Sequence, residues 1–109
     1  MSLEVEDFVF ENIIANVVNV LEPLAKKKGL KLISQISKDV NGVLKGDILR
    51  LEQVLFNLIG NSLKFTNKGK IYLKCEVLKD TKVFQRLQIS VVDTGIGMEQ
   101  SYAENIFNK

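Results

Sequence analysis

The chain of 109 residues contains no histidine and no tryptophan, and it has a single cysteine and a single proline. The lack of histidine excludes Ser-His and Cys-His hydrolase mechanisms, histidine metal ligation and a phosphohistidine on this chain. One cysteine excludes an internal disulfide framework and a cysteine-built zinc site, and it is typical of a reducing compartment. No stretch approaches the roughly 20 apolar residues of a membrane span, and no signal peptide opens the sequence. We therefore expect no membrane contact by this segment.

The charges nearly cancel, with 15 Lys and Arg against 13 Asp and Glu and a formal net charge of +2. This balance gives no basic surface of the kind that binds nucleic acid, so we expect no nucleic-acid partner. Hydrophobic residues make up 46% of the chain and the mean hydropathy is +0.08, which is enough to bury a core. The length predicts at most one small domain, in which residues 1–3 read as a leader without structural weight.

Apolar residues recur at three- and four-residue spacing over residues 10–28, which predicts an amphipathic helix. Asp7 is the predicted N-cap, and Gly29 is predicted to end the helix in a left-handed conformation. Pro23 falls inside the pattern, so we expect a kink or a break there. Strands are predicted at 31–37 and 41–45 with a turn near Asp39, then at 70–78 and 83–93 as a hairpin. The amphipathic residues 100–108 indicate the beginning of a helix or a lid.

A second helix is predicted from the N-cap Asp47 to about Phe65. At about 100° per residue, Asn57, Asn61 and Lys64 lie within about 60° of one another. Two further polar residues share this stripe, Arg50 and Gln53, and the face predicted to be buried carries Leu51, Leu55, Leu58 and Ile59. Amide oxygens suit Mg²⁺ and a lysine suits phosphate oxygens, so the row fits a nucleotide with its metal. The alternative is a solvated helix face.

Asp93 continues the phase of Leu87, Ile89 and Val91 in the last predicted strand, so its carboxylate falls on the core face. A carboxylate there is costly unless it is paired or meets a ligand. Gly95 and Gly97 follow, and they allow the backbone to approach a flat ligand closely. The carboxylate suits an exocyclic amine such as adenine N6. The alternative is an aspartate that merely opens a glycine turn.

Cys75 shares its strand phase with Ile71, Leu73 and Val77. The sequence therefore predicts a small core residue and not a reactive thiol.

Four segments together resemble the ATP-binding domain of sensor histidine kinases, with hybrid-type kinases as the best fit. Residues 47–66 (DILRLEQVLFNLIGNSLKFT) resemble the N box, and residues 91–98 (VVDTGIGM) resemble the G1 box. Residues 104–107 (ENIF) resemble the start of the F box, and residues 21–30 (LEPLAKKKGL) resemble the first helix of that domain. The resemblance covers nearly the whole chain.

The resemblance implies a Bergerat-type α/β sandwich, in which a mixed sheet packs on helices and ATP lies between the two layers. It implies that Asn61 ligates Mg²⁺, that Asn57 supports the metal and phosphate site, and that Lys64 contacts phosphates. It further implies a pocket in which Phe65 lies beside the nucleotide, Asp93 recognises adenine N6, and Gly95 and Gly97 shape the floor.

The implied activity of the parent protein is transfer of the ATP γ-phosphate to a histidine on a separate dimerisation domain, within two-component signalling. The implied partners are that phosphoacceptor domain and, indirectly, a response-regulator receiver domain, with this domain in the cytoplasm. Related ATPases carry a glutamate four residues before the metal asparagine, as the base for water, whereas this chain has Asn57 there. The resemblance thus favours a kinase over an ATPase of the same superfamily. Mitochondrial-type protein kinases and a non-catalytic interaction module remain alternatives.

The chain stops at Lys109, within the stretch that resembles the F box. By the family's pattern it is a fragment without the ATP lid and the later G2 box. We expect such a fragment to be inactive alone, and we expect its incompletely covered core to favour self-association.

Overall fold

Six strands form one mixed sheet with two helices packed against it, in a computed structural model that describes residues 5–94 and 98–109. The elements are β1 (Glu6–Phe8), α1 (Phe10–Lys27), β2 (Lys31–Ile36), β3 (Leu44–Gly46), α2 (Ile48–Phe65), β4 (Lys70–Asp80), β5 (Phe84–Asp93) and β6 (Met98–Asn108). The sheet order is β1-β3-β6-β5-β4-β2, with β2 parallel to β4 and all other pairs antiparallel. The predicted α/β class with a mixed sheet on helices is confirmed.

The first helix begins at Phe10, as its apolar pattern predicts, but its N-cap lies two residues later than predicted. Asp7 lies in β1, where it pairs with Lys45, and Val9 takes the N-cap position without a side-chain hydrogen bond. The predicted cap was wrong because pairing with β3 takes up the backbone of this segment. Gly29 adopts the expected positive φ of 72° after the helix ends. The helix continues through Pro23, so no break occurs there.

Two strands are present near the ranges predicted at 31–37 and 41–45, but β2 is one residue shorter, β3 is shifted to Leu44–Gly46, and the two are not neighbours. β2 lies at one edge of the sheet beside β4, whereas β3 lies between β1 and β6. The connecting loop is held by the buried side chain of Gln85, whose Nε2 donates to the carbonyl oxygen of Asp39 at 2.8 Å. The Gln85 Oε1 atom accepts from the backbone N–H of Asn41 at 2.7 Å. The loop leads the chain from β2, at one edge of the sheet, to β3, near the other edge, and Gln85 of β5 holds it on the way.

The hairpin predicted from 70 to 93 is confirmed in β4 and β5. Thr81 closes its turn, because its hydroxyl oxygen accepts from the N–H of Phe84 at 3.0 Å and the hydroxyl donates to the Phe84 carbonyl at 3.1 Å. Alternate residues of both strands face the helices and are buried: Ile71, Leu73, Cys75, Leu87, Ile89 and Val91. This alternation places Asp93, at the end of β5, on the same face.

The segment predicted to begin a helix or a lid, 100–108, is instead part of β6. It pairs with β5 in antiparallel register, and Arg86 forms an ion pair with Glu104 across the two strands. Ala103 and Phe107 are four residues apart, a spacing that puts two side chains on one face of either a helix or a strand. Pairing with β6 satisfies backbone donors and acceptors along β5, which would stay unpaired if residues 100–108 formed a helix. Sheet pairing, which is non-local, thus overrides the local pattern.

Both helices bury one apolar stripe against the sheet, and the same core includes Phe8, Leu44 and Phe107 from the other strands. No helix in the described part of the chain is long and apolar enough to cross a membrane. Val20 and Leu24 are exposed on α1, Val83 is exposed in the turn between β4 and β5, and Ile106 is exposed on β6. Self-association through such surfaces stays a prediction.

Cys75 is a buried core residue, as predicted, and its thiol couples stability to alkaline pH. Burial raises the pKa of the thiol from 9.0 to about 12, with a smaller effect from the Glu76 carboxylate. Above pH 9.0 the unfolded chain releases the thiol proton while the folded chain keeps it. We therefore expect the free energy of unfolding to fall as pH rises through this window, with a slope approaching about 1.4 kcal/mol per pH unit from this group. Urea denaturation of wild type and Cys75→Ala at a series of pH values measures it, and equal slopes would contradict the prediction.

Candidate functional site

The carboxyl end of α2 meets the carboxyl end of β5 through one buried hydrogen bond. Thr66, the C-cap residue of α2, donates from its Oγ1 to Oδ2 of Asp93 at 2.8 Å. The exposed fractions of the two side chains are 2% and 1%. This contact joins the two motifs that the sequence singled out, since Asp93 lies on the strand and Lys64 and Phe65 lie within two residues of Thr66.

The end of β5 is fixed on its other side by β4. Asp93 pairs with Ile71 in the sheet register, and the next residue, Thr94, bonds to Lys70. The Thr94 backbone N–H donates to the Lys70 carbonyl at 3.0 Å, and the Thr94 hydroxyl oxygen accepts from the Lys70 N–H at 2.9 Å. The Asp93 carboxylate is therefore carried by a strand end that is held on both sides.

The second helix presents the predicted polar row to solvent. Its predicted N-cap is confirmed, because Oδ1 of Asp47 accepts from the backbone N–H of Arg50 at 3.1 Å. The exposed side chains of the row are Arg50, Gln53, Asn57, Asn61 and Lys64. The buried side of the helix carries Leu51, Leu55, Ile59, Ser62 and Leu63, whereas Leu58, which was predicted to be buried, is only partly so.

Positive charge gathers at the last turn of α2. Lys64 places its Nζ 5.5 Å from the centre of the Phe65 ring, and the Phe65 side chain is 65% exposed. Lys28, just after α1, donates from its Nζ to the carbonyl oxygen of Leu63. Cations at this end interact favourably with the negative pole of the helix dipole. Lys64 also offers charge to an anion that lies along the polar row.

The donor set of the row fits a magnesium ion that is shared with phosphate oxygens. Asn57 and Asn61 are one helical turn apart, so both amide oxygens reach the same side of α2. Within the described residues, no group of three or more His, Cys, Asp or Glu side chains forms a metal cage. Mg²⁺ usually keeps waters and takes only one or two protein ligands beside substrate phosphates. The amide pair therefore suits a metal that arrives with a nucleotide.

The structure thus brings Lys64 and Phe65 to the helix end that contacts Asp93, and it aligns Asn57 and Asn61 on the exposed side of the same helix. Gly95 and Gly97, the predicted floor of the pocket, lie outside the described residues. A shallow groove between α1 and β2 contains none of the predicted site residues. Its lining includes Ile14, Val18, Ser34 and Ile36.

Two residues of the site were missed at the level of the sequence, Thr66 and Lys28. Thr66 continues the buried stripe through Ile59 and Ser62 at spacings of three and four, which was a signal that it faces the sheet. Its partner is 27 residues away along the chain, so no local pattern reveals the contact. Lys28 belongs to a run of three lysines at the end of α1, a pattern typical of a solvated helix end, and nothing in its spacing points to Leu63.

The chain is similar in sequence to a known family of ATPases. The family described as "Histidine kinase-, DNA gyrase B-, and HSP90-like ATPase" matches residues 46–109, which include α2 and Asp93. Hybrid signal transduction histidine kinase L of Dictyostelium discoideum is 35% identical over 107 residues, covering 98% of this chain and 6% of that protein. Sensor protein GacS of Pseudomonas syringae pv. syringae is 36% identical over 100 residues, covering 92% of this chain and 11% of that protein.

Among solved structures, full-length ShkA in complex with AMPPNP has the same fold, with a TM-score of 0.69 and 24% sequence identity. The match covers 83% of this chain and 19% of ShkA. This chain thus spans only a small part of the length of each of these proteins. Since the family match covers more than half of the chain, the chain belongs to the ATPase family that is shared by histidine kinases, DNA gyrase B and HSP90.

Proposed function

We propose that this chain binds an adenine nucleotide between the polar row of α2 and the end of β5. The observation that carries the proposal is the buried Asp93 carboxylate, which sits at the end of an apolar strand face and is held by Thr66. An ionised carboxylate can accept hydrogen bonds but cannot donate them, so it suits the exocyclic N6 amine of adenine, which is a donor. In the proposed complex, the flat ring would stack on apolar residues beside Asp93 while its amine meets the carboxylate.

The phosphates would lie along α2. Lys64 provides a compact cation for phosphate oxygens, and Phe65 provides an exposed ring beside the nucleotide. Asn61 would ligate Mg²⁺ together with the phosphates, and Asn57 would support the same site from one turn earlier. Gly95 and Gly97 would shape the floor below the base, as the resemblance to the G1 box implies.

We further propose that the whole protein acts as a sensor histidine kinase in two-component signalling. Its reaction would transfer the ATP γ-phosphate to a histidine on a separate dimerisation domain, and a response-regulator receiver domain would accept the phosphoryl group afterwards. The named relatives support this proposal, since one is a hybrid signal transduction histidine kinase and the other is a sensor protein. The lack of histidine in this chain requires a phosphoacceptor elsewhere.

Hydrolysis of ATP by this site is less well supported. The polar row consists of Arg50, Gln53, Asn57, Asn61 and Lys64, and it contains no carboxylate that could abstract a proton from water. Transfer to an external nucleophile depends mainly on positioning and charge neutralisation. The row supplies these without a base of its own.

Calorimetric titration of the chain with ADP and with AMPPNP, with and without Mg²⁺, tests the nucleotide proposal. We expect saturable binding of both nucleotides, stronger in the presence of Mg²⁺. Absence of saturable binding by a sample with a cooperative unfolding transition would overturn the proposal for this chain.

A further inference from the structure

The hydroxyl of Thr66 makes a contact that helix capping does not require. Its backbone N–H already donates to the carbonyl of Ser62 at 3.0 Å, which closes the last turn of α2. The side chain points away from the helix and donates to Oδ2 of Asp93 at 2.8 Å. Both groups are almost wholly buried, so water does not compete for this hydrogen bond.

We propose that Thr66 is a positioning residue that sets the base specificity of the nucleotide site, through its hold on Asp93. This inference rests on the proposed function. A threonine hydroxyl carries one proton, and here that proton is given to the carboxylate. The carboxylate therefore keeps its role as an acceptor, with its plane fixed relative to the end of α2.

The side chain of threonine suits this task because it is branched at Cβ. Branching restricts χ1, so the hydroxyl direction is set by the backbone of the helix end and not by a freely rotating side chain. An acceptor that is oriented before the ligand arrives loses less free energy on binding than one that must be ordered. The fixed carboxylate then favours adenine, which presents an amine at position 6, over hypoxanthine, which presents a carbonyl oxygen there.

The test compares the dissociation constants of ADP and IDP for wild type, Thr66→Val and Thr66→Ser, measured by calorimetry on the full chain. Valine keeps the branched shape and removes the hydroxyl. We expect Thr66→Val to lose roughly tenfold in ADP affinity, with little change for IDP, so that the preference for adenine collapses. Thr66→Ser keeps the hydroxyl, and we expect it to keep most of the preference.

Thr81→Val is the matched control, because it also removes a threonine hydroxyl with several hydrogen bonds, at the hairpin turn far from Asp93. We expect it to leave the ratio of the two dissociation constants unchanged. Thermal unfolding of each variant separates lost stability from lost specificity.

The outcomes distinguish the two proposals. If the wild type does not bind ADP, the proposed function is overturned. If the wild type prefers ADP over IDP and a folded Thr66→Val variant has the same preference, only the proposed role of Thr66 is overturned. If Thr66→Val does not fold, Thr66→Ala is measured instead, because it also removes the hydroxyl. A folded Thr66→Ala with the wild-type preference overturns the role of Thr66, and one that loses the preference supports it.

Discussion

Asp93→Asn is expected to reduce the affinity of the chain for ADP by roughly 10- to 150-fold. The substitution removes the charge and replaces one carboxylate oxygen by an NH₂ group. Like the N6 amine of adenine, this group is a donor, so the two cannot form a hydrogen bond in the same way. A hydrogen bond to a charged group contributes about 1.5–3 kcal/mol, and each 1.4 kcal/mol is a tenfold change in affinity. Calorimetric titration with ADP measures the effect.

The matched control is Asp80→Asn, which makes the same change of charge at the opposite end of the β4–β5 hairpin. Asp80 is exposed and forms an ion pair with Lys109 at 2.6 Å, and that contact lowers the pKa of its carboxyl group. We expect Asp80→Asn to bind ADP as wild type does. An Asp93→Asn variant that folds and binds ADP with unchanged affinity would remove the base-recognition assignment.

Asn61→Ala is expected to abolish most of the gain in AMPPNP affinity that Mg²⁺ provides. Alanine cannot ligate the metal, and removal of even an indirect support of a metal site typically costs about 10- to 100-fold in metal affinity. The measurement is the ratio of the AMPPNP dissociation constants without and with Mg²⁺. We expect this ratio to fall by at least about tenfold from wild type. Binding of AMPPNP without Mg²⁺ is expected to change little.

Asn16→Ala serves as the control for this variant, because Asn16 is an exposed asparagine on α1, outside the polar row. We expect it to keep the Mg²⁺ effect. Asn61→Asp tests the same site differently, because it retains an oxygen ligand but adds charge and alters the metal geometry. A full Mg²⁺ effect in Asn61→Ala would show that the metal does not depend on Asn61.

The features that the sequence predicted well depend on local patterns. The bounds of α2 follow from the Asp47 cap and from an apolar stripe with helical spacing, both of which lie within the helix itself. The position of Asp93 on the core face follows from the two-residue period of Leu87, Ile89 and Val91 along β5. These features depend on backbone geometry within a few residues, so they need no knowledge of the rest of the fold.

The features that the sequence did not predict depend on contacts between distant segments. The neighbours of β2 and β3 in the sheet are set by pairing with β4, β1 and β6, which the turn near Asp39 does not reveal. The strand β6 stands where the sequence predicted the beginning of a helix or a lid, because β5 offers a long pairing edge. The local sequence around Asp7 predicts an N-cap because its actual partner in the sheet, Lys45, is far away along the chain. The roles of the site residues stay predictions until nucleotide binding is measured.

The hydrogen bond from Lys28 to Leu63 connects the end of α1 to the helix end beside the proposed site. Carbonyl groups in the last turn of a helix lack partners within the helix, so the lysine supplies one from a different element. α1 and α2 also pack directly on one another. We therefore expect a shift of the end of α1 to move Lys64 and Phe65 relative to β5. Under the proposed function, such a shift would change the distance between the Asp93 carboxylate and the Lys64 ammonium group, and with it the fit of a nucleotide that spans both.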